Sequence, residues 1–254
     1  MKDEFYIGWE AKSAPGPART TRRLVVAMHL LALVLAAGLA AAQRLIGVSV
    51  FEFGEIKTFS GRLVLNACPC LLVPRPGATD PANATSTYYL VAPFKHGLDR
   101  AKLAALDGQP VTLQGTLIYR GNQTMVEAIP ETIKPASAAS PSFPALPDRS
   151  LGRQTLRGEI VDSKCYFGVM NPGNLLPHRG CAIRCISGGI PPVLLVQAKD
   201  QPPVYLLLVS ASGGPVNQQV LDLVAEPVEI TGEVIRQNGL LTLRADPATY
   251  RRVN

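Results

Sequence analysis

Aromatic and charged residues are scarce in this chain. Of its 254 residues, 6% are aromatic and 17% are charged. The formal net charge is +6, yet no cluster of lysine and arginine follows Arg23, and a nucleic-acid footprint needs such clustering on one face. Few aromatic rings also leave little material for a base-stacking platform. The composition therefore argues against nucleic-acid binding.

Catalytic signatures are lacking too. The chain has three histidines and five cysteines, and we find no nucleophile–base pair or paired-carboxylate signature in its sequence. The sequence therefore does not predict an enzyme. Its 47% of hydrophobic residues nevertheless supply enough apolar material for a folded core.

One long stretch lacks charge altogether. Residues 24–42 read LVVAMHLLALVLAAGLAAA, and 19 residues of helix span about 28 Å, enough to cross a bilayer core. The neighbouring basic residues lie mainly before it, at Lys12, Arg19, Arg22 and Arg23. The positive-inside rule then predicts that the N-terminus is cytoplasmic and that residues 43–254 lie outside, in a periplasmic or extracellular space. The lipid bilayer is thus its first predicted partner.

A cleaved signal peptide is the alternative interpretation of this stretch. Ala40-Ala41-Ala42 resembles a small-residue cleavage site. The 23 preceding residues and the length of the apolar run favour an uncleaved transmembrane helix instead. Both interpretations export the rest of the chain to an oxidising compartment, where cysteines can pair.

After the apolar stretch the sequence repeats itself. Gly61–Cys68 matches Gly158–Cys165 over seven positions, and Tyr88–Pro110 matches Tyr205–Pro227 over 22 positions. Preserved spacing of this kind predicts a tandem duplication of one folding unit.

Each copy is predicted to be rich in strands. In the first copy, apolar or alternating runs occupy Gly61–Leu65, Tyr88–Ala92, Val111–Tyr119 and Thr124–Ala128. A short helix is predicted over Leu98–Leu106, with a counterpart over Asn217–Ala225. This order predicts a mainly β protein, in which one N-terminal transmembrane helix precedes two tandem small OB-like β-barrel modules, each with a short helix. A small β-sandwich with one helix is the alternative.

Composition sets the predicted domain boundaries. Residues 130–150 are rich in proline, alanine and serine, which predicts a semi-rigid linker. The first β module is then residues 43–129 and the second is residues 151–254. Ahead of them lie the transmembrane helix at residues 24–42 and a cytoplasmic segment at residues 1–23.

The two copies differ in one interval. Cys68 to Tyr88 is 20 positions, whereas Cys165 to Tyr205 is 40. The longer interval includes most of residues 162–185, which read DSKCYFGVMNPGNLLPHRGCAIRC. Insertions into a shared scaffold commonly carry function, so the candidate site is predicted here.

The inserted residues predict a helix over roughly 177–187. Such a helix sets His178, Cys181 and Cys185 at i, i+3 and i+7, on one face. Cys165 ends the preceding strand, so all four side chains are expected to converge.

Three interpretations of these residues compete. In the first, which we favour, Cys165 forms a disulfide with Cys181 or Cys185 and staples the insertion to its barrel. In the second, Cys165, His178, Cys181 and Cys185 bind Cu or Zn, with Met170 as a further thioether ligand for copper. In the third, one thiol is redox-active or attaches haem, although the C-x-x-x-C spacing is not C-x-x-C-H. Elsewhere, Cys68 and Cys70 are two positions apart, where a mutual disulfide is strained.

Two parts of the chain resemble bacterial proteins of uncharacterised function. Residues 158–196, with D-S-x-C, then H-x-x-C-x-x-x-C and a Gly-Gly turn, resemble small exported proteins. The head DEFYIGWEAKSAPG, together with Phe51–Gly54 and Gly115–Arg120, resembles membrane-anchored proteins. The resemblance implies a bacterial envelope protein and brings no activity, cofactor or catalytic residue.

Two functional hypotheses follow. The first is a non-catalytic, extracytoplasmic binding or assembly subunit, accessory to a membrane redox or envelope complex and partnered by a membrane protein. The second is a Cu or Zn carrier, or a metal-binding electron-transfer accessory, that uses the cysteines and the histidine of the insertion.

Overall fold

A single helix forms the first of two structural units. The computed structural model describes residues 15–43, 49–75, 84–136, 148–237 and 239–253, and its units are residues 1–47 and 48–254. Helix α1 (Pro15–Gln43) contains the predicted span 24–42 and begins earlier than predicted. It is long and apolar enough to cross a membrane, as a signal sequence near the N-terminus would also be. Residues 1–14 of the predicted cytoplasmic segment lie outside the described residues.

The second unit holds two tandem barrels with matching elements. The first comprises β1 (Ser49–Phe51), β2 (Lys57–Val64), β3 (Cys70–Pro74), β4 (Thr85–Val91), α2 (Arg100–Leu103), β5 (Pro110–Arg120), β6 (Gln123–Ala128) and β7 (Lys134–Pro135). The second comprises β8 (Arg149–Asp162), α3 (Arg179–Ser187), β9 (Pro192–Val196), β10 (Val204–Val209), β11 (Pro227–Gln237), β12 (Leu240–Arg244) and β13 (Arg251–Arg252). The predicted duplication therefore extends to the order of the strands.

Both sheets close on themselves. The order is β2-β3-β4-β6-β5 in the first barrel and β8-β9-β10-β12-β11 in the second, and the last strand pairs with the first in each. The third and fifth strands of each barrel pair in parallel, and the other barrel pairings are antiparallel. Such a closed five-stranded arrangement is OB-like. The predicted fold is confirmed, and the β-sandwich alternative is wrong.

The predicted short helices form only in part. The segment Leu98–Leu106 contains α2 and a following 3₁₀ turn. Its counterpart, Asn217–Ala225, has a 3₁₀ turn at Leu221–Leu223 in place of the predicted helix. The side chain of Asn217 donates instead to two carbonyls around the end of α3, which ties the start of this segment to the insertion.

The segment predicted as a linker contributes to both barrels. Pro130–Thr132 forms a 3₁₀ turn and β7 pairs with β5, so the first barrel continues past residue 129. At the other end, β8 begins at Arg149. Residues 137–147 lie outside the described residues. The second barrel ends with a matching 3₁₀ turn at Pro247–Thr249 before β13, which is a further element of the repeat.

Three apolar cores result from strands that are buried on both faces. Inward-facing residues fill each barrel, among them Leu63, Leu71, Leu90 and Leu113 in the first and Ile160, Leu194, Leu206 and Ile230 in the second. Outward-facing residues of β3, β4, β9 and β10 build a third core between the barrels, including Cys70, Tyr89, Val91, Leu195, Tyr205 and Leu207. This explains why the sequences of β4 and β10 run apolar without alternation.

The third core covers a surface that OB barrels ordinarily use. Oligonucleotides and oligosaccharides bind OB-folds across strands 2 and 3 and the adjoining loops. Here the strand 2–3 faces of the two barrels lie against each other. The other surface that OB barrels use is the loop between strands 1 and 2, which comprises residues 65–69 in the first barrel and residues 163–191 in the second. These two loops carry four of the five cysteines.

Candidate metal and thiol site

The insertion folds as two helical turns and a helix. Residues Cys165–Val169 form a π-helical turn directly after β8, and a 3₁₀ turn at Leu176–His178 leads into α3. The helix predicted over 177–187 is therefore confirmed. It ends at Gly188, and Gly189 has a φ of +102°, which favours glycine over residues that carry a side chain.

Three thiols converge as the helical spacing predicts. The Sγ atom of Cys165 lies 3.9 Å from that of Cys181 and 3.9 Å from that of Cys185. Cys165 and Cys185 are buried, and Cys181 is partly exposed. A disulfide requires about 2.05 Å between sulfurs, so the predicted bond from Cys165 to Cys181 or Cys185 is not formed. All five cysteines of the chain are free.

A buried carboxylate and the imidazole complete the cluster. Asp162 is fully buried and His178 is 5% exposed, and His178 Nε2 lies 3.1 Å from Asp162 Oδ2. The other carboxylate oxygen accepts a 2.7 Å hydrogen bond from the backbone N–H of Cys165. One oxygen of Asp162 thus caps the turn that begins at Cys165, and the other orients the imidazole of His178. If Nε2 donates to Asp162, Nδ1 is the ring nitrogen free to bind a metal, as in carboxylate–histidine–metal arrangements.

Two overlapping groups of donors can hold a metal ion. One is Cys165, His178 and Cys181, and the other is Asp162, Cys165 and Cys185, with ligand atoms within 4.8 Å of one another in each group. Cys165 is common to both. The four predicted ligands therefore gather around one thiol, and Asp162 is an additional donor that the prediction missed. The signal for it is its place three residues before Cys165.

Met170, the predicted thioether ligand, is set apart from this cluster by its environment. Its backbone N–H donates to the carbonyl of Cys165, but Met170 is 44% exposed. A side chain that extends toward solvent is poorly placed to join the buried thiols. We therefore leave Met170 out of the ligand set.

A lysine from the first barrel supplies positive charge to the thiols. Lys95 Nζ lies 2.8 Å from Cys181 Sγ and 3.7 Å from Cys185 Sγ. The bond to Cys181 raises the pKa of Lys95, which keeps its ammonium charged. Sequence reasoning missed Lys95, because it lies 86 positions from Cys181 and only the packing of the two barrels brings it there.

The thiols are electrostatically unequal. A hydrogen bond from Cys165, aided by the charge of Lys95, lowers the pKa of Cys185. The same bond and burial raise the pKa of Cys165. Within the pair, Cys165 is therefore the hydrogen-bond donor and Cys185 the thiol that loses its proton more readily.

A buried lysine fixes the loop that presents Lys95. Lys164, only 2% exposed, donates to the carbonyls of Ala92 (3.0 Å) and Phe94 and forms an ion pair with Glu127. Phe94 adopts a φ of 60°, a conformation that residues other than glycine seldom use. The contacts of Lys164 hold this strained loop in place. Lys164, which precedes Cys165, therefore positions the loop that brings Lys95 to the thiols.

A backbone hydrogen bond also joins the first barrel to the insertion. The N–H of Gly97 donates to the carbonyl of Gly188 at 2.9 Å. A Cβ at Gly97 would overlap the carbonyl oxygen of Gly189. At another point of the insertion, Arg120 donates to the carbonyl of Tyr166 at 2.6 Å, and its guanidinium lies 4.3 Å from the centre of that ring. The first barrel therefore contacts the insertion both at the end of α3 and at the turn that contains Cys165.

An open cavity reaches the cluster. It measures about 550 Å³ and its lining includes Cys165, Cys185, Lys95, Arg184 and Phe94. Two thiols thus face a space large enough for a ligand, at a rim that carries positive charge.

Fold and cluster together define a class of protein: an apolar N-terminal helix, then two fused OB-like barrels whose interface holds a group of donors that can bind a metal ion. Comparisons with protein-family models, curated proteins and solved structures found no significant match to this chain. The resemblance to bacterial envelope proteins therefore stays a prediction.

Proposed function

We propose that this protein is a membrane-anchored carrier of a soft metal ion, Cu(I) or Zn(II), which binds to Cys165, Cys181, Cys185 and His178. The spacing of the sulfurs carries the proposal, since Cys165 Sγ lies 3.9 Å from each of its two neighbours. With metal–sulfur bonds of about 2.3 Å, two ligands of a tetrahedral ion lie about 3.8 Å apart. Cys165 is therefore too distant from either neighbour for a disulfide and suitably spaced to share an ion with each of them.

The surroundings of the cluster support a carrier. Soft thiolates select Cu(I) and Zn(II) over hard cations. Cys181 is partly exposed and two other thiols face the cavity, so an ion has a route between the site and a partner. Lys95 Nζ places a positive charge 2.8 Å from Cys181 Sγ, at the exposed side of the cluster.

Anchoring and location belong to the same proposal. Helix α1 would remain uncleaved in a bacterial inner membrane, with both barrels in the periplasm, as the excess of basic residues before it favours. The partner would be a membrane or envelope complex that receives the metal. The hypothesis of a non-catalytic assembly subunit is then included, because delivery of a metal is an assembly step.

Metal analysis of the full chain tests the proposal. The protein is purified anaerobically in detergent, loaded with Zn(II), desalted and measured by mass spectrometry, with Co(II) spectra to report thiolate ligation. We expect one Zn(II) per chain. Cys165→Ser removes it, because Cys165 belongs to both donor groups, and His178→Ala weakens binding tenfold or more.

The matched control is Cys68→Ser, which changes a buried cysteine at the corresponding position of the first barrel and should leave Zn(II) binding intact. The proposal is wrong if the reduced wild-type chain retains no Zn(II) or Cu(I) while remaining folded by circular dichroism. Equal retention by wild type and Cys165→Ser would also contradict it.

A further inference from the structure

A second pair of thiols lies in the first barrel. Cys68 Sγ and Cys70 Sγ are 3.4 Å apart, and the two residues are 6% and 4% exposed. Cys68 follows β2 as Cys165 follows β8, so both barrels place a cysteine at the same point of the fold. None of the groups that form the carrier site uses this pair.

The pair belongs to the apolar core between the barrels. Cys70 begins β3 and lies opposite Tyr89 in β4, and both cysteines are members of that core. A cavity of about 350 Å³ reaches Cys68, and its lining includes Pro69, Arg100 and Leu207. Cys68 therefore borders a space that a small ion can enter, and Cys70 Sγ lies 3.4 Å from Cys68 Sγ within the apolar core.

A metal suits this pair better than a disulfide does. A bond between cysteines two positions apart is strained, and the sulfurs are well beyond bonding distance. The hydrogen bond with Cys68 and burial raise the pKa of Cys70 well above its usual value, so an ion must displace the protons. Zn(II) requires four ligands, whereas Cu(I) accepts two thiolates. A nearly linear S–Cu–S arrangement requires the sulfurs to move from 3.4 Å to about 4.4 Å apart, a smaller change than closing a disulfide would need.

A nearby cation is available to balance the complex. Arg100 Nη2 donates to the carbonyls of Leu65 and Asn66, in the loop that carries Cys68. Its Nη1 is buried without a hydrogen-bond partner among the described residues. Two thiolates with Cu(I) carry one net negative charge, which a guanidinium beside the loop offsets.

We propose that Cys68 and Cys70 form a second metal site, specific for Cu(I) and separate from the cluster in the second barrel. Binding breaks two S–H bonds, forms two Cu–S bonds and releases two protons to the buffer. Copper remains Cu(I) throughout, so no oxidant or reductant takes part.

Titration of a chain that keeps only this pair tests the proposal. The full-length variant Cys165→Ser/Cys181→Ser/Cys185→Ser, in detergent and without oxygen, is titrated with Cu(I) against a chromophoric Cu(I) chelator. We expect one Cu(I) per chain with two sulfur neighbours by X-ray absorption, and no retained Zn(II). Adding Cys70→Ser abolishes binding, whereas Ala67→Ser, in the same loop, leaves it intact.

The wild-type chain gives a second measurement if the triple variant does not fold. Loaded first with Zn(II) in the second barrel, it should still take up one Cu(I), and Cys70→Ser should not. The second site is refuted if a folded chain with both thiols reduced retains no Cu(I), or if Zn(II) occupies the pair equally well. The carrier proposal is judged separately, by Zn(II) binding to Cys68→Ser/Cys70→Ser.

Discussion

The two barrels share a scaffold and differ in one loop. In the first barrel, five residues join strands 1 and 2, and the loop holds Cys68 beside Cys70. In the second, residues 163–191 make the same connection and bring three thiols and a histidine together. The duplicated strands therefore serve as a constant frame on which one loop has changed the chemistry.

The thiol cluster of the second barrel also depends on residues of the first barrel. The first barrel supplies Lys95 to the thiols and Glu127 to the buried Lys164. It also receives the end of α3 against Gly97. The cluster thus lies on one barrel and is completed by the other.

The largest effect of a substitution on stability is expected at Lys164, whose counterpart in the first barrel is Ala67. Lys164→Ala leaves Glu127 and two loop carbonyls without their buried partner. Because a broken buried pair leaves an uncompensated charge, we expect a loss of about 3–5 kcal/mol in the free energy of unfolding. Urea unfolding followed by circular dichroism measures it.

The matched control is Lys102→Ala, at a side chain that is 84% exposed, with an expected change below about 0.5 kcal/mol. Similar losses of unfolding free energy in the two variants would show that Lys164 does not stabilise the contact between the barrels. Replacing Glu127 as well, by leucine, should restore part of the stability, because no buried charge is then left alone.

A smaller effect is expected at two matching glycines. Gly97 and Gly214 align by the spacing of the repeat, each nine positions after its matching tyrosine, Tyr88 or Tyr205. Gly97→Ala forces a methyl group into the backbone of Gly189, whereas at Gly214 the nearest atom to a Cβ is 3.5 Å away. We expect Gly97→Ala to lower the free energy of unfolding by about 1–3 kcal/mol and Gly214→Ala to change it little.

Thiol reactivity sharpens the same comparison. Gly97→Ala should move the loop that carries Lys95, so the alkylation rate of Cys181 should change in Gly97→Ala but not in Gly214→Ala. Equal effects of the two variants on stability and on alkylation would contradict the proposed docking of the first barrel onto α3.

The smallest effect concerns Glu226, whose counterpart in the first barrel is the neutral Gln109. Ion pairs with Arg252 and Arg179 lower the pKa of Glu226 below its usual value. A lowered pKa contributes stability above the unfolded-state pKa, and the contribution is lost as the pH falls through the folded-state pKa. We expect Glu226→Gln to lower the free energy of unfolding by up to about 1 kcal/mol at pH 7.

The measurement is a pair of urea unfolding curves at neutral and acidic pH. The difference between wild type and Glu226→Gln should begin to shrink at about pH 4.5, where the unfolded-state carboxylate takes up protons, and should continue to shrink as the pH falls through the lowered folded-state pKa. A difference that persisted unchanged in acid would show that charge is not its source. Glu229→Gln, which removes one ion pair with the exposed Arg157, is the control and should have the smaller effect.

Much of the fold was predictable because its signals are local. The apolar run of α1, the spacing shared by the two copies, and the positions of His178, Cys181 and Cys185 on one helix face can all be counted along the chain. The bond state of Cys165 was not predicted correctly, because a compartment argument favours pairing without fixing the distance between sulfurs. The helix predicted to begin at Asn217 was also wrong, because the Asn217 side chain donates to carbonyls about 30 residues away, which local helix propensity does not include.

The sequence by itself determined the apolar helix, the duplication, the strand order and the thiols that would meet. Periodicity and spacing encode these features within a few residues or a fixed repeat. Only the tertiary structure decided that the barrels cover each other's strand 2–3 faces, that Asp162 orients His178, and that Lys95 reaches Cys181. Those outcomes depend on contacts between residues far apart in the chain, and they follow from how two closed sheets bury their remaining apolar faces.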